Sequence, residues 1–374
     1  MLRLNNIKFA DGRSISGIEA YDGRDPVEEK DMGAYIALPG FFDSHIHGSF
    51  GYDVSDGRAE DVVKLASMLP SFGVSDFLPT LMTLDESSIL RAADAVSEAK
   101  TKLSASDQAY AKIAGLRLEG PFLSPLMAGV QSPDNLFTAE KLAKIIEKIE
   151  SDHPGLLKMI DIAPELDGAM DLVKGLNDKY IISLGHSDCD YKTADEFFKA
   201  GGNSLTHALN AMRPCLKRDP GPLGAAFDNG SSFVEVICDG IHVDPSVLRM
   251  LFKLFDGRII VISDAMRASG MPDGIYDLGG TPVEARGGRT YFGSSGNLAG
   301  SVTNPAQEAQ RLFSYGISKD QIAKALTDTP RKRMKANNIG HSGGLTEDLV
   351  FLDNEMRLMC MISRGRLVSP YIML

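Results

Sequence analysis

The chain has 374 residues, and its 43% hydrophobic and 24% charged content is typical of a globular protein with one large core. The formal net charge of −11 argues against a nucleic acid or an anionic membrane as partner, although a few local arginines could hold a small anionic substrate. Because no apolar run approaches the roughly 20 residues that span a bilayer, and the N-terminus lacks the apolar core of a signal peptide, we expect a cytoplasmic protein.

Both ends of the chain are predicted to be rich in β-strand. The predicted terminal strands are 2–9, 14–21, 349–353 and 357–362. Their pattern differs from that of the middle of the chain. We therefore predict that residues 1–37 and 342–374 together form a small β-sandwich domain, and that residues 38–341 form a separate domain inserted between them.

The middle of the chain alternates apolar strand candidates with segments of helical periodicity. The predicted strands are 41–47, 76–82, 115–120, 159–165, 181–187, 204–209, 233–240 and 259–265. The predicted helices between them include 58–69, 87–100, 139–149, 193–200 and 245–255. Eight strands in β/α alternation indicate an α/β protein with a (β/α)8 TIM-like barrel; an open, doubly wound sheet is the alternative, since periodicity does not report closure.

Two segments depart from this alternation. Residues between Leu209 and Phe233 are rich in Pro and Gly and predict a long loop. Residues 279–300 are turn-rich and predict a β-hairpin excursion after the last barrel strand. Two further helices, at 304–315 and 319–327, are expected to close the domain.

The first barrel strand ends in His45-Ile46-His47-Gly48. Side chains two residues apart in a strand point to the same face, so both imidazoles are expected to project from the strand end and to share a divalent metal ion. Taken alone, such a short motif is also compatible with two histidines in a polar turn.

Further polar residues follow the other predicted strands at their carboxyl ends, where barrel enzymes carry their catalytic residues. These residues are Glu119, His186, His207, His242 and Asp264. Each alone has a plainer interpretation, since Glu119 could pair with Arg117, a single histidine is more often a hydrogen-bonded core residue, and Asp264 could cap a helix. The constellation is stronger, because five of the seven histidines fall at strand ends.

Five of these residues supply the nitrogen and carboxylate ligands that zinc or ferrous iron prefers. The predicted metal ligands are His45, His47, Glu119, His186 and His207. Five ligands exceed the usual three of a mononuclear catalytic zinc site, and a Glu119 that bridges two ions would use them all. We therefore expect one or two ions per subunit. Asp264 is the candidate acid/base residue, because a carboxylate beside an activated water can take its proton and return it to a leaving amine. These parts predict metal-assisted hydrolysis of an amide or a related C–N bond.

At this point the sequence resembles the amidohydrolase superfamily and, within it, the N-acetylglucosamine-6-phosphate deacetylase family. The matching segments are LPGFFDSHIHG, LEGPFLSP, LGHS, THALNAM, RDPGPLGAA, ICDGIHVD, ISDA and NLAGS. They occur in family order from Leu38 to about Ser301, and the β-rich termini are similar to the family's small flanking domain.

The resemblance implies a metal held by Glu119, His186 and His207, a second metal position at His45 and His47, and Asp264 as the acid/base residue. It also implies a homodimer and a phosphorylated amino sugar as substrate. The implied sugar-binding residues are Asn210, Ala211, Arg218, Asp239, His242, Leu298, Ala299 and Gly300. For Arg218, the residues alone favour a surface charge, although an arginine is a natural bidentate phosphate donor.

Two segments depart from the family pattern. Gln131 stands where the family carries a sugar-contacting histidine, and a glutamine can hydrogen-bond a hydroxyl but cannot carry charge. Ala208-Leu209 replace an aromatic residue. These changes do not affect the predicted hydrolysis, but they leave the identity of the sugar open.

The predicted function is hydrolysis of N-acetylglucosamine 6-phosphate to glucosamine 6-phosphate and acetate. The alternatives are the same reaction on N-acetylgalactosamine 6-phosphate, a different amidohydrolase activity that needs no phosphate, and a non-catalytic binding protein of the superfamily. The last alternative is disfavoured, because such proteins lose metal ligands and this chain retains them.

Overall fold

The computed structural model describes residues 2–9, 12, 14–20, 28–293, 296–336 and 348–371. The predicted domain boundary at residues 341 and 342 lies outside these residues. The described strands, numbered in chain order, are β1 (Leu2–Phe9), β2 (Ser14–Ala20), β3 (Glu28–Asp31), β4 (Ile36–Pro39), β5 (Phe41–Ile46), β6 (Gly48–Ser49), β7 (Tyr52–Asp53), β8 (Val74–Leu81), β9 (Lys112–Ile113), β10 (Leu116–Phe122), β11 (Leu157–Ile162), β12 (Ile181–Leu184), β13 (Ser204–Leu205), β14 (Phe233–Val236), β15 (Ile259–Val261), β16 (Gly274–Leu278), β17 (Thr281–Arg286), β18 (Arg289–Phe292), β19 (Asn297–Leu298), β20 (Leu349–Leu352), β21 (Leu358–Ser363) and β22 (Arg366–Val368).

The described helices are numbered in the same way. They are α1 (Ala59–Met68), α2 (Glu86–Ser104), α3 (Ala139–Asp152), α4 (Ala169–Leu176), α5 (Tyr191–Lys199), α6 (Gly221–Asn229), α7 (Pro245–Leu254), α8 (Pro305–Ser314), α9 (Lys319–Leu326) and α10 (Asp328–Ala336). Among them, none combines the length and the apolar character that crossing a membrane requires.

Eight parallel strands form the predicted (β/α)8 barrel. Their order is β5, β8, β10, β11, β12, β13, β14 and β15, and each strand pairs with the next. A parallel bridge between Ile46, the last residue of β5, and Ala265, which follows β15, joins the two ends of this row. The closed arrangement confirms the barrel over the open-sheet alternative, and it brings the carboxyl ends of all eight strands to one mouth.

The barrel strands are buried on both faces, as expected when helices cover the outside of a parallel sheet. Every residue of β5 and of β8 is buried. On the outside, α2 packs an apolar stripe that includes Ile89, Val96 and Leu103 against the barrel, because residues three, four and seven apart share one helix face. The strand ends that carry the polar residues are therefore set on a rigid frame.

A buried ionic cluster lies inside the barrel below the mouth. The guanidinium of Arg117, which is fully buried, donates to Asp161 at 3.0 Å and to Glu235 at 2.8 Å. Arg333 donates to the same Glu235 at 2.6 Å. Arg117 thus pairs with Asp161 of the neighbouring strand β11 and with Glu235 of β14, four strands from β10 round the barrel, and not with Glu119, which lies two residues further along β10 at the mouth.

The two ends of the chain meet in a separate seven-stranded sheet. Its order is β2-β1-β4-β20-β21-β22, with β3 paired to β1, so the N-terminal strands form one half of the sheet, the C-terminal strands form the other, and β4 pairs with β20 between them. The sheet has its own apolar core, which includes Leu4, Ile7 and Phe351. After the last barrel strand, β16 to β19 form a four-stranded antiparallel excursion that begins at Gly274.

The prediction of a long loop between Leu209 and Phe233 was wrong for its second half, where α6 runs over Gly221–Asn229. The Pro and Gly residues that argued against a helix lie in its first turn. There Pro222 costs no hydrogen bond, since the first backbone N–H groups of a helix have no intrahelical partner. The short helices α4 and α10 were also missed.

The N-terminus of α2 shows how a local side chain contributes to the free energy of unfolding. Asp85 accepts hydrogen bonds from the hydroxyls of Ser87 and Ser88 at 2.6 and 2.7 Å and from the backbone N–H of Ser88 at 3.1 Å, and these bonds lower its pKa from 3.8 to about 2. We expect Asp85→Ala to reduce the free energy of unfolding by ~1 kcal/mol, the usual contribution of an N-cap. Because the folded-state pKa lies below the unfolded one, this contribution is fully present above pH 4 and is lost as the pH falls toward 2.

Denaturant unfolding at pH 7 and at pH 3.5 measures this effect. The difference between the wild-type protein and Asp85→Ala should be smaller at pH 3.5. Asp85→Asn is the matched control, since it keeps a capping oxygen but does not titrate. Equal losses for Asp85→Ala at both pH values contradict the assignment.

Candidate metal centre and active site

Three side chains from different strands converge on one point at the barrel mouth. Glu119 lies in β10, His186 follows β12, and His207 follows β13. Oε1 of Glu119 lies 3.0 Å from Nε2 of His186 and 3.0 Å from Nε2 of His207, and the two imidazole nitrogens are 3.2 Å apart. All three side chains are buried.

A second set of ligand atoms shares the same glutamate. His45 Nε2 lies 3.3 Å from Glu119 Oε1 and 3.5 Å from Asp264 Oδ1. His47 Nε2 lies 3.3 Å from Glu119 Oε2 and 3.2 Å from Asp264 Oδ1. The structure therefore brings together all five predicted ligands and the predicted acid/base residue. Glu119 stands between the two sets.

Backbone carbonyl groups orient two of the imidazoles. The Nδ1–H of His47 donates to the carbonyl of Thr80 at 3.1 Å, and that of His186 donates to the carbonyl of Met127 at 2.8 Å. With the proton on Nδ1, the lone pair of Nε2 faces the cluster, which is the usual arrangement of a histidine ligand. His45 lies within β5 and is fully buried.

At three strand ends the backbone adopts a conformation that the residue types do not predict. His186, His207 and Asp264 have φ values of 49°, 27° and 48°, in the left-handed region that residues other than glycine rarely adopt. Such residues cost about 1–3 kcal/mol each and persist where the surroundings hold them. The chain thus turns sharply at each strand end and leaves the side chain pointing into the mouth.

The electrostatics of the cluster keep both acids ionised. Burial opposes the charge of Glu119, but the imidazoles of His45 and His186 outweigh it and hold the pKa of Glu119 well below its usual value. Burial likewise opposes the charge of Asp264, and His45 and His47 lower its pKa. Against the cost of its own burial, His207 has its pKa raised to about 9 by the Glu119 carboxylate.

The donor set fits a divalent metal ion. Ligand atoms 2.0–2.1 Å from a tetrahedral zinc ion are roughly 3.4 Å apart, and the contacts above span 3.0 to 3.5 Å. In addition, Nε2 of His45 is buried and has no hydrogen-bond partner among the described residues, although two carboxylate oxygens lie nearby. A buried imidazole nitrogen aimed at carboxylates is what a metal ligand requires.

The cluster forms the base of a cavity of about 640 Å³. One wall is the loop after β10, residues 125–131, and another is the antiparallel excursion at Phe292 and 297–300. This volume suits a small ligand of hexose size. Among the described lining residues there is no lysine or arginine, so His242 and the cluster histidines are the possible cations of the wall.

Most of the predicted sugar-binding residues line this cavity. They are Gln131, Asn210, Ala211, His242, Leu298, Ala299 and Gly300. The amide of Gln131 is already engaged, because it donates to Glu119 Oε2 and accepts from the backbone N–H of Thr83 at 2.7 Å. Its predicted contact with a sugar hydroxyl stays a prediction.

Two predicted residues lie outside the cavity lining. Asp239 holds His242, since its Oδ2 accepts from Nδ1–H at 2.8 Å while its Oδ1 accepts the backbone N–H groups of Ile241 and His242. Arg218 is exposed and does not reach the cavity of its own chain. Its expected contact with a phosphate therefore also stays a prediction.

Sequence reasoning missed several parts of the wall. Met82, Leu126, Met127 and Phe292 line the cavity, and Thr80 and Met127 orient ligands through backbone carbonyls. Backbone contacts leave no signal in residue type. The one visible hint was the position of 125–131 directly after the glutamate strand, at the edge where barrel loops form the site.

Comparisons with known proteins identify relatives over nearly the whole chain. N-acetylglucosamine-6-phosphate deacetylase of Bacillus subtilis is 34% identical over 339 residues, which cover 89% of this chain and 84% of that protein. N-acetylgalactosamine-6-phosphate deacetylase of Escherichia coli O157:H7 is 30% identical over 98% of this chain and 95% of that protein. No protein-family model matches the sequence.

A solved structure shares the architecture. A mutant N-acetyl-D-glucosamine-6-phosphate deacetylase from Mycobacterium smegmatis, in complex with N-acetyl-D-glucosamine-6-phosphate, is 25% identical and matches 98% of each chain with a TM-score of 0.83. Relatives that are at least 30% identical cover most of both sequences, and the fold agrees with that of the solved deacetylase. The chain therefore belongs to the N-acetylglucosamine-6-phosphate deacetylase family of the amidohydrolase superfamily.

Proposed function

We propose that this protein hydrolyses the N-acetyl group of N-acetylglucosamine 6-phosphate and releases glucosamine 6-phosphate and acetate. The observation that carries the proposal is the convergence of four imidazoles, Glu119 and Asp264 at the base of a cavity of about 640 Å³. The B. subtilis relative, whose name states this activity, supports the choice of substrate.

The chemistry divides between a metal ion and the chain. When bound, a divalent ion polarises the acetyl carbonyl and lowers the pKa of water, so that a nucleophile exists at neutral pH. Asp264 accepts a proton from the attacking water and returns it to the sugar nitrogen as the C–N bond breaks. One water is consumed, its oxygen leaves in acetate, and the nitrogen leaves as the amine.

Other residues of the chain hold the sugar. Asn210 and Ala211 lie three and four residues after the ligand His207 and line the cavity, so they can meet the sugar beside the reacting amide. On the opposite wall, Leu298 to Gly300 lie next to Asp264, because the backbone N–H of Ser301 donates to the Asp264 carbonyl at 2.7 Å. Across the cavity, His242 presents Nε2, since Asp239 engages its Nδ1.

The proposed cofactor is one or two divalent ions per subunit, zinc or iron. Glu119, His186 and His207 would hold one ion, and His45 and His47 would hold the other with Glu119 as the bridge. Imidazole and carboxylate donors suit both metals, and availability in the cell decides between them. Metal analysis of the purified protein distinguishes zinc from iron and one ion from two.

Acetate release tests the function. The substrates are N-acetylglucosamine 6-phosphate, N-acetylgalactosamine 6-phosphate and unphosphorylated N-acetylglucosamine, each at the same concentration with metal-reconstituted protein. We expect a clear preference for the first. A preference for the galacto isomer, the substrate named in the E. coli O157:H7 relative, replaces the proposed substrate but keeps the reaction. Equal rates with and without phosphate indicate a different amidohydrolase, and no hydrolysis with a loaded metal site indicates a binding protein.

The position of Arg218 leads to a proposal on assembly. The described cavity lining has no lysine or arginine for a phosphate dianion, whereas Arg218 is exposed at the tip of a tight hairpin. Two backbone hydrogen bonds between Leu216 and Asp219 close that hairpin, and Arg213 braces it through Asp188 and Asp219. Leu216, in the same hairpin, is 58% exposed, and Leu126, at the cavity mouth, is 78% exposed. We infer a homodimer in which Arg218 of one copy reaches the phosphate in the cavity of the other.

Arg218→Ala is expected to raise KM for the phosphorylated sugar by roughly 10- to 100-fold with little change in kcat, because it removes a charge-assisted hydrogen bond to the phosphate. Co-expression of Arg218→Ala with Asp264→Asn then tests whether the arginine acts across the dimer. Random pairing should restore about a quarter of the wild-type sites, since each mixed dimer has one complete site. Activity no higher than that of the two parent variants rules out action across the dimer.

Two further statements remain proposals. The compartment is proposed to be cytoplasmic, in keeping with four cysteines that form no disulfide in the structure; cell fractionation tests it. The chain is proposed to divide into a small domain of residues 1–37 and 342–374 and a catalytic domain of residues 38–341 with an excursion near 279–300. Limited proteolysis at the boundaries tests that division.

A further inference from the structure

The environment of Gln131 distinguishes the two oxygens of Glu119. Oε1 faces three imidazoles, those of His45, His186 and His207, at 3.0 to 3.3 Å. Oε2 lies 3.3 Å from Nε2 of His47, and it also accepts a hydrogen bond from the Gln131 amide nitrogen. The second oxygen is therefore already occupied by a neutral donor.

Gln131 cannot release that oxygen by turning over its amide. Its Oε1 accepts the backbone N–H of Thr83 at 2.7 Å, so a flipped amide would set its oxygen against the Glu119 carboxylate and its NH₂ group against an N–H donor. Gln131 is 2% exposed, which leaves no solvent to compensate.

The loop that carries Gln131 is also hydrogen-bonded to His186, which belongs to the ligand set of Glu119, His186 and His207. The carbonyl of Met127 accepts the Nδ1–H of His186 at 2.8 Å, and the backbone N–H of Ser124 donates to the His186 carbonyl at 2.9 Å. Within the loop, the backbone N–H of Gln131 donates to the carbonyl of Ala128 at 3.0 Å. The same loop thus orients His186 through the Met127 carbonyl and engages Oε2 of Glu119 through Gln131.

We propose that Gln131 is a positioning residue that makes the two metal positions unequal, so that an ion at Glu119, His186 and His207 is bound more tightly than an ion at His45, His47 and the shared Glu119. An ion held by His47 and Glu119 Oε2 would share that oxygen with an N–H group whose hydrogen carries a partial positive charge. An ion held through Glu119 Oε1 would not share its oxygen with the Gln131 amide. This inference rests on the proposed metal site, but not on the identity of the sugar.

The test is a zinc titration of chelator-depleted full-length protein, followed by calorimetry and by metal analysis after equilibrium dialysis. For the wild-type protein we expect two binding phases, the second at least roughly tenfold weaker. In Gln131→Met, which conserves length and apolar packing but removes the donor, the second phase is expected to tighten by roughly 10- to 100-fold while the first stays within about twofold. Val130→Ala, in the same loop and without a contact to Glu119, is the matched control and should change neither phase.

An unchanged second phase in both Gln131→Met and Gln131→Ala overturns the proposal, as does a loss of the first phase with the fold retained by circular dichroism. Two equal phases in the wild-type protein also overturn it. These readouts need no substrate, so a protein that fails to release acetate but shows the expected shift retains this inference and loses only the proposed reaction.

Discussion

Asp264→Asn is expected to lower kcat for acetate release by about 10²–10⁴-fold, the usual contribution of a general acid/base residue. The change preserves shape but leaves no carboxylate to accept the proton of the attacking water. Asp264 suits this task, because its carboxylate lies 3.2 to 3.5 Å from the imidazoles of His45 and His47, which lower its pKa. Its backbone is fixed on both sides, through the His45 carbonyl and the Ser301 N–H.

Steady-state acetate release, with metal content measured on the same sample, checks this expectation. The ion at Glu119, His186 and His207 should remain bound in Asp264→Asn, because no ligand of that set is changed. Asp94→Asn is the control, since Asp94 pairs with His153 on the outer surface and should leave kcat within about twofold. A variant that keeps its metal and more than a tenth of wild-type kcat excludes Asp264 as the acid/base residue.

Arg117→Met is expected to reduce the free energy of unfolding by about 3–5 kcal/mol, because it removes the partner of two buried carboxylates. Arg117 donates to both oxygens of Asp161 and of Glu235, and also to the backbone carbonyl of Ser44 at 2.8 Å. After the change, Arg333 still pairs with Glu235, but Asp161 keeps only hydroxyl donors. Because Ser44 precedes the ligand His45, we also expect weaker metal binding.

Denaturant unfolding of the metal-depleted protein measures the change in the free energy of unfolding without a contribution from metal binding. The loss should be smaller at acid pH, because Asp161 without its arginine takes up a proton in the folded state and no longer carries a buried charge. Lys144→Met is the control for an ion pair in general. Its pair with Glu140 is exposed and screened by solvent, so Lys144→Met should leave the free energy of unfolding almost unchanged. A loss below about 1 kcal/mol for Arg117→Met shows that the cluster does not stabilise the barrel.

The barrel strands were predictable because each is an apolar run bounded by turn signals. In β5 and β8, burial of every residue reflects a segment that has no polar face to show to water. By contrast, α6 was missed because its Pro and Gly residues suggest a loop, and only their place in the first helical turn makes them compatible with a helix. Composition alone does not distinguish these positions.

Some features of the site were likewise predictable from the sequence, and others were not. His45, His47, Glu119, His186, His207 and Asp264 could be named from the sequence, since residue type together with position at a strand end predicts their direction. The contact of Gln131 with a sugar hydroxyl stays a prediction. The sequence could not show that its amide engages Thr83, which follows β8, and Glu119 in β10, because these residues are far from Gln131 in the chain. Arg218 was expected in the cavity, and the hairpin that carries it points outward.

The sequence by itself determined the strands, the residue types at their ends and thus the class of metal chemistry, because these depend on local periodicity and on side-chain chemistry. The tertiary structure alone decided which strands are neighbours, that the barrel closes at Ile46 and Ala265, and that Glu119 stands between two ligand sets. It also decided that Arg117 pairs with Asp161 and Glu235, and that Gln131 engages one glutamate oxygen. These features join residues far apart in the chain at distances of about 3 Å, and no local pattern encodes a contact whose geometry depends on how the whole barrel packs.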